Sequence, residues 1–243
     1  MYELKKMTVG EILDNAFKVL SSNLLPLLVL NAAIMIPMFI LTFFAVSIAV
    51  NNDATMLGGL ALVITMLSML VVQPLASGAS TKLIADRYLG NGGTVGSSFK
   101  YVLRILLPLL GALLLATLAI TGGFILLIIP GIFLTIRLSL ISQACVVEGR
   151  GGVTALKRSM ELTKDSFWKF FGIFIVLAGL GIMVEYGLEI VLNPNTLTHT
   201  FAYLGFQILL AGYGSCVWVV AYLERRCDLE AFDLEMLAQA LDD

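Results

Sequence analysis

Residues 105–147 read ILLPLLGALLLATLAITGGFILLIIPGIFLTIRLSLISQACVV, 43 residues with one charge, Arg137. A helix needs about 20 apolar residues to cross the ~30 Å hydrocarbon core of a bilayer. The stretch therefore predicts two spans. Its breakers, Thr121-Gly122-Gly123 and Pro130-Gly131, place them at about 103–122 and 126–147. Upstream, apolar runs predict a first span at 24–49 and a second within 54–81, parted by Asn51-Asn52-Asp53. Downstream, residues 170–191 predict a fifth span and 201–223 a sixth, with a turn at Asn193-Pro194-Asn195. The whole chain agrees: of 243 residues, 59% are hydrophobic and 13% charged, about half the charge of a soluble domain. The fold class expected is all-α integral membrane with six transmembrane helices.

The few charges set an orientation. Cytoplasmic loops of membrane proteins concentrate Lys and Arg. Lys5, Lys6 and Lys18 precede the first span. Lys82, Arg87, Lys100 and Arg104 lie between the second and third. Arg150, Lys157, Arg158, Lys164 and Lys169 lie between the fourth and fifth, and Arg225 and Arg226 follow the sixth. All these fall on one side of a six-span chain, which predicts a multi-pass protein of the bacterial inner membrane with both termini cytoplasmic. Helical spans exclude an outer-membrane barrel. Residues 4–23 are amphipathic and separate the N-terminal lysines from the first span, unlike a cleavable signal peptide.

The basic segments resemble one another. Thr8-Val9-Gly10 begins a segment that runs to Leu24-Leu25-Pro26-Leu27-Leu28. Thr94-Val95-Gly96 begins one that runs to Leu106-Leu107-Pro108-Leu109-Leu110. Gly152-Val153-Thr154 begins a third, which runs to Phe167-Trp168-Lys169. The chain thus reads as three pseudo-repeated hairpins, each preceded by a short amphipathic interfacial helix. The units are about 5–88, 89–149 and 150–226 of one membrane domain. Apolar residues Val9, Ile12, Leu13, Ala16, Phe17 and Leu20 have helical spacing, and Thr8 with Glu11 predicts a capping box. Residues 227–243 carry six acids and no base and predict an acidic cytoplasmic tail helix. That helix would dock on the basic lead-ins or on a partner.

A second set of residues has a recognisable order. It comprises Pro130-Gly131-Ile132, Arg137 within the fourth span, Glu148 closing it, Ala155-Leu156-Lys157-Arg158-Ser159 and Phe167-Trp168. This order resembles that of the six-span membrane proteins related to the membrane domain of some glycerophosphodiester phosphodiesterases. The resemblance covers about Pro130 to Phe171 and implies a six-span fold. It implies no hydrolase activity, because 243 residues leave no room for a barrel of about 250 residues beside the spans.

Arg137 is the anomaly of the sequence. It lies 11 residues before Glu148, about 16 Å into the membrane at 1.5 Å per residue. A charge at helix centre costs roughly 2.5–3.5 kcal/mol on insertion scales, so Arg137 needs partners. Asn31, Gln73, Ser139, Gln143 and Glu185 are the candidates; the readings are a helix-tying polar cluster, an anion or lipid-headgroup site, or a lipid-facing arginine snorkelling to the surface. Glu185 and Glu189 share a helix face and read as an outer rim. His199 reads as an exposed loop residue. With one His in the chain, no base stands within reach of Ser139, Cys145, Cys216 or Cys227. No enzyme activity, cofactor or metal site is expected. Gly90-Asn91-Gly92-Gly93 lacks the Gly-Lys-Ser of a phosphate loop. The partners expected are the lipid bilayer and a lipid or anionic ligand, with no nucleic acid. Small residues on the fifth and sixth spans serve the bundle, a homo-oligomer or a membrane partner protein. Two function classes follow: a protein that binds or transports a lipid or amphiphilic anion within its bundle, and an accessory subunit regulating another membrane complex.

Overall fold

The computed structural model describes residues 7–51, 55–90, 92–193 and 196–230. Among them are ten α-helices, one short 3-10 helix and no strand. The helices are α1 (Val9–Ser22), α2 (Leu24–Asn51), α3 (Thr55–Tyr88), α4 (Val95–Arg104) and α5 (Leu106–Leu126). They continue with α6 (Ile128–Arg137), α7 (Ile141–Glu148), α8 (Val153–Thr163), α9 (Phe167–Val191) and α10 (Leu197–Glu230). The 3-10 turn Lys164–Ser166 joins α8 to α9. Lys5, Lys6, Asn52, Asp53, Asn91, Pro194, Asn195 and the tail beyond Glu230 lie outside the described residues.

Five stretches are long and apolar enough to cross a bilayer: Leu24–Phe44, Leu106–Leu126, Ile128–Glu148, Val153–Val191 and Leu197–Glu230. The chain is therefore a helical membrane protein. Helix α3 is 34 residues long. Its second half carries Gln73, Ser77, Ser80, Thr81 and Lys82. It runs antiparallel to α2, since Arg87 Nη1 donates to Asn23 Oδ1 at 2.8 Å and Asn31 Nδ2 to Ser80 Oγ at 3.1 Å.

Local chemistry starts the short helices. The expected capping box opens α1: Glu11 N–H donates to Thr8 Oγ1, and Thr8 N–H to Glu11 Oε2. Thr94 and Ser97 make the equivalent pair at α4, with a hydroxyl replacing the carboxylate. Each capped start satisfies backbone donors that the helix leaves open. Helix α1 buries Ile12, Ala16 and Val19 and crosses α10 at Gly212, where a Cβ would meet Leu20 at 3.6 Å. Its apolar face thus lies on the bundle.

The core gathers at one end. In α9 only Phe170 and Ile173, in the first two turns, are buried. In α10 the run from Ser215 to Arg225 is mostly buried, and in α3 the described burial extends from Val72 to Ala85. These are the helix ends next to α1, α4 and α8, where the basic residues lie. The far ends expose Phe44, Ile125, Ile129, Met183 and Ile190, as lipid contact allows.

Several expectations are corrected. The third span begins after α4 and runs to Leu126, and the hairpin turns at the single extended residue Leu127. Thr121-Gly122-Gly123 stays helical and Pro130 stands in the first turn of α6, where a missing N–H costs nothing. The glycines serve close approach. A Cβ on Gly131 would stand 2.4 Å from the Phe124 ring, and one on Gly123 3.1 Å from Gly131 Cα. The fourth span is not one helix, because residues 138–140 break it into α6 and α7. The start of the acidic segment, Cys227–Glu230, is helical and continuous with α10. Gly131→Ala is expected to lower stability by about 1–3 kcal/mol through overpacking, whereas Gly122→Ala, which meets open space, leaves it unchanged or slightly higher. Thermal unfolding in detergent compares them.

Candidate functional site

The break after Arg137 interrupts the helical ladder in a chain whose backbone must be paired to lie in lipid. Helix α8 supplies the missing partners. Ser159 Oγ donates to the Arg137 carbonyl at 2.9 Å and accepts the Leu140 N–H at 3.1 Å. One hydroxyl thus spans both sides of the break. Thr163 Oγ1 lies 3.1 Å from the same carbonyl and 2.8 Å from the Ser159 carbonyl. Ser159 and Thr163 are both fully buried, with Ala155 and Leu162 around them. The third lead-in therefore packs as a wedge against the broken span.

Beside the wedge, Glu148 closes α7 with a side chain only 7% exposed. It accepts from Arg158 Nε at 2.8 Å, Tyr222 Oη at 2.6 Å and Arg150 Nε at 2.7 Å. Arg158 reaches on to Glu230, which also takes Arg226 Nε at 3.0 Å. A neighbouring group centres on Glu224, which accepts from Lys169 Nζ at 2.8 Å and Met7 N at 3.2 Å. Arg225, 2% exposed, donates from Nε to the Leu162 carbonyl at 2.9 Å and pairs with Asp228. α7, α8, α9 and α10 are thus joined by buried charge at the basic end.

Arg137 itself turns elsewhere. Its guanidinium lies over the Phe133 ring, 5.6 Å from the centroid, and its Nε is buried without a hydrogen-bond partner among the described residues. Phe133 stacks on Phe167 at 5.4 Å, and Phe167 meets Trp168 edge-on. Arg137 therefore stands next to the α8–α9 junction. No hydrogen bond or ion pair among the described residues joins it to Asn31, Gln73, Gln143 or Glu185.

The expected partners are dispersed. Asn31 bonds the Leu27 carbonyl and Ser80. Gln143 is buried with Oε1 unpartnered. Ser139 donates to the Ile136 carbonyl. Gln73 lines a cavity of about 390 Å³ with Thr42, Tyr203 and Gln207, where Gln207 Nε2 and Tyr203 Oη are 2.7 Å apart. Glu185 and Glu189 are exposed on α9. His199 is not in an exposed loop: it is half-buried in the first turn of α10 and stacks on Tyr203. No group of three or more His, Cys, Asp or Glu side chains suited to a metal occurs among the described residues.

A family match spans residues 57–222 and carries the description "Domain of unknown function (DUF7847)". The chain belongs to the DUF7847 family. The matched region holds the broken span, the α8 wedge, Glu148 and Tyr222, and it ends just before Glu224. The description of DUF7847 makes no link to glycerophosphodiester phosphodiesterases. No curated protein and no solved structure matches the chain.

Removing Ser159's hydroxyl strands a buried N–H, so Ser159→Ala is expected to cost about 1–3 kcal/mol. Thr163→Val costs less, because Ser159 still bridges the break. Glu148→Gln, which weakens the ion pair to a buried arginine, is expected to destabilise by up to about 3–5 kcal/mol. Detergent-solubilised unfolding midpoints rank the three.

Proposed function

We propose that this chain is a non-enzymatic inner-membrane protein that binds, or moves, a lipid or amphiphilic anion within its helix bundle. One observation carries the reading. The Arg137 Nε is buried without a hydrogen-bond partner among the described residues, and the side chain has no carboxylate partner among them. A guanidinium in an apolar span that finds no anion among the described residues is matched to one from outside. The anion is amphiphilic because the Arg137 guanidinium lies over the Phe133 ring, which stacks on Phe167, at the end of the apolar helix α6.

The finer topology belongs to the same reading. Counting α3 with the five apolar stretches gives six spans in three hairpins, led by α1, α4 and α8. The side bearing those lead-ins is cytoplasmic by its lysines and arginines. The likeness of residues 130–171 to the membrane domain of glycerophosphodiester phosphodiesterases is compatible with lipid-related work. It adds no catalytic group.

The accessory-subunit reading has its own support. Gly179 and Gly187 on α9 and Gly205 and Gly214 on α10 have open space where a Cβ would stand, which suits close contact with another membrane helix.

A native mass spectrum of the protein purified in mild detergent tests the first reading. Wild type is expected to retain an anionic amphiphile, and Arg137→Leu to retain about tenfold less, the size of one charge-assisted hydrogen bond. If Arg137→Leu lowers only the folded yield and keeps the same bound species, Arg137 is a structural residue.

A further inference from the structure

The α8–α9 junction bounds a second concave site that the Arg137 reading does not use. Its cavity of about 470 Å³ is lined by Lys164–Lys169 on one side and by Arg225, Asp228 and Leu229 of α10 on the other. Three cations face it. Lys169 is engaged by Glu224, and Arg225 by Asp228. Lys164 is exposed and makes no ion pair among the described residues. Arg225 is the second, independent sign. Its side chain is 2% exposed, it lines the cavity, and its Nη2 is buried without a hydrogen-bond partner among the described residues. A buried guanidinium N–H left open is costly unless an acceptor arrives.

The start of α9, a 25-residue helix whose N-cap Ser166 makes no side-chain cap, faces the same space and favours negative charge. Trp168, 78% exposed, sits on the rim, where an amphipathic ring suits the headgroup level of a bilayer. Asp165, exposed and without an ion pair among the described residues, is the acid that opposes an anion there.

We infer that this junction binds a phosphate group, held by Lys164, the open Nη2 of Arg225 and the first turn of α9. The inference rests on the reading of the chain as an anion-binding membrane protein and adds a second anion site, of stated chemical class. A planar guanidinium with a free N–H and a helix start both recognise phosphoryl oxygens. The group is supplied either by the headgroup of an anionic phospholipid or by free phosphate. Trp168 on the rim and the apolar spans on either side favour the headgroup.

The test uses the full chain in detergent, titrated with phosphatidylglycerol or phosphatidylcholine, with bound lipid counted by native mass spectrometry. Each lipid titration is repeated with inorganic phosphate in excess. Wild type is expected to prefer phosphatidylglycerol. Lys164→Gln is expected to weaken it about fivefold, the effect of one basic residue at an anionic surface. Asp165→Asn is expected to tighten it, a gain that misfolding cannot produce. Displacement of the lipid by inorganic phosphate assigns the site to free phosphate, and resistance to displacement assigns it to the headgroup. Equal binding of the two lipids overturns the inference, as does indifference of phosphatidylglycerol binding to both variants. If Arg137→Leu still loses its retained amphiphile in that case, only the junction site falls. If neither Arg137 nor Lys164 affects any bound species, both readings fall.

Discussion

A single hydroxyl governs how this bundle is put together. Ser159 Oγ donates to the carbonyl of Arg137 and accepts the N–H of Leu140, across a break in the fourth apolar stretch. In lipid an open backbone group costs several kcal/mol, so the break persists only because α8 is wedged against it. The wedge then fixes what flanks it. At its C-terminal end the chain turns into α9, and along its length Arg158 reaches Glu148 and Glu230. The Arg225 guanidinium holds the Leu162 carbonyl of the wedge from the far side.

The distribution of burial follows from the same arrangement. Between lipid-facing helices there is little hydrophobic driving force, since the acyl chains are as apolar as the side chains. Where α1, α4 and α8 cover the helix ends, water rather than lipid is excluded, and ordinary burial applies. The core therefore contains Ile12, Leu83, Val102, Leu140, Leu162 and Tyr222 at that end. The far ends of α5, α6 and α9 face outward with large apolar side chains. A buried pair such as Arg158 with Glu148 is weak evidence for net stability, but it specifies which helices meet. Helices α7, α8 and α10 converge on that pair.

Much of this order was legible in the sequence, and the reasons are physical. The long apolar runs and one-sided basic residues indicated a helical membrane protein, and Thr8 with Glu11 indicated a helix start, because these signals are local. The break at residues 138–140 was not legible. No glycine or proline marks it, and its cause lies about twenty residues later in the hydroxyl of Ser159. Arg137 was singled out by its charge alone, but its expected partners were placed by depth along straight helices. Once the fourth span breaks, equal depth no longer means contact, and Asn31 and Gln73 prove to be engaged elsewhere or exposed. Glu148 and Arg158 did appear in the motif that resembles a known membrane domain, yet ten residues apart in sequence they gave no sign of sharing a proton-bearing contact. The Arg225 Nη2 left open at the α8–α9 junction has no sequence signature at all.

The account rests on α8 holding the broken span, since Arg137, the α8–α9 junction and the charge cluster are all positioned by that contact. Hydrogen–deuterium exchange of the full chain in detergent reads it at the amide of Leu140. The account predicts slow exchange across residues 138–141 in wild type, and a large acceleration confined to that segment and α8 in Ser159→Ala, with α10 unchanged. Fast exchange at Leu140 in wild type, or protection that survives loss of the Ser159 hydroxyl, would contradict it.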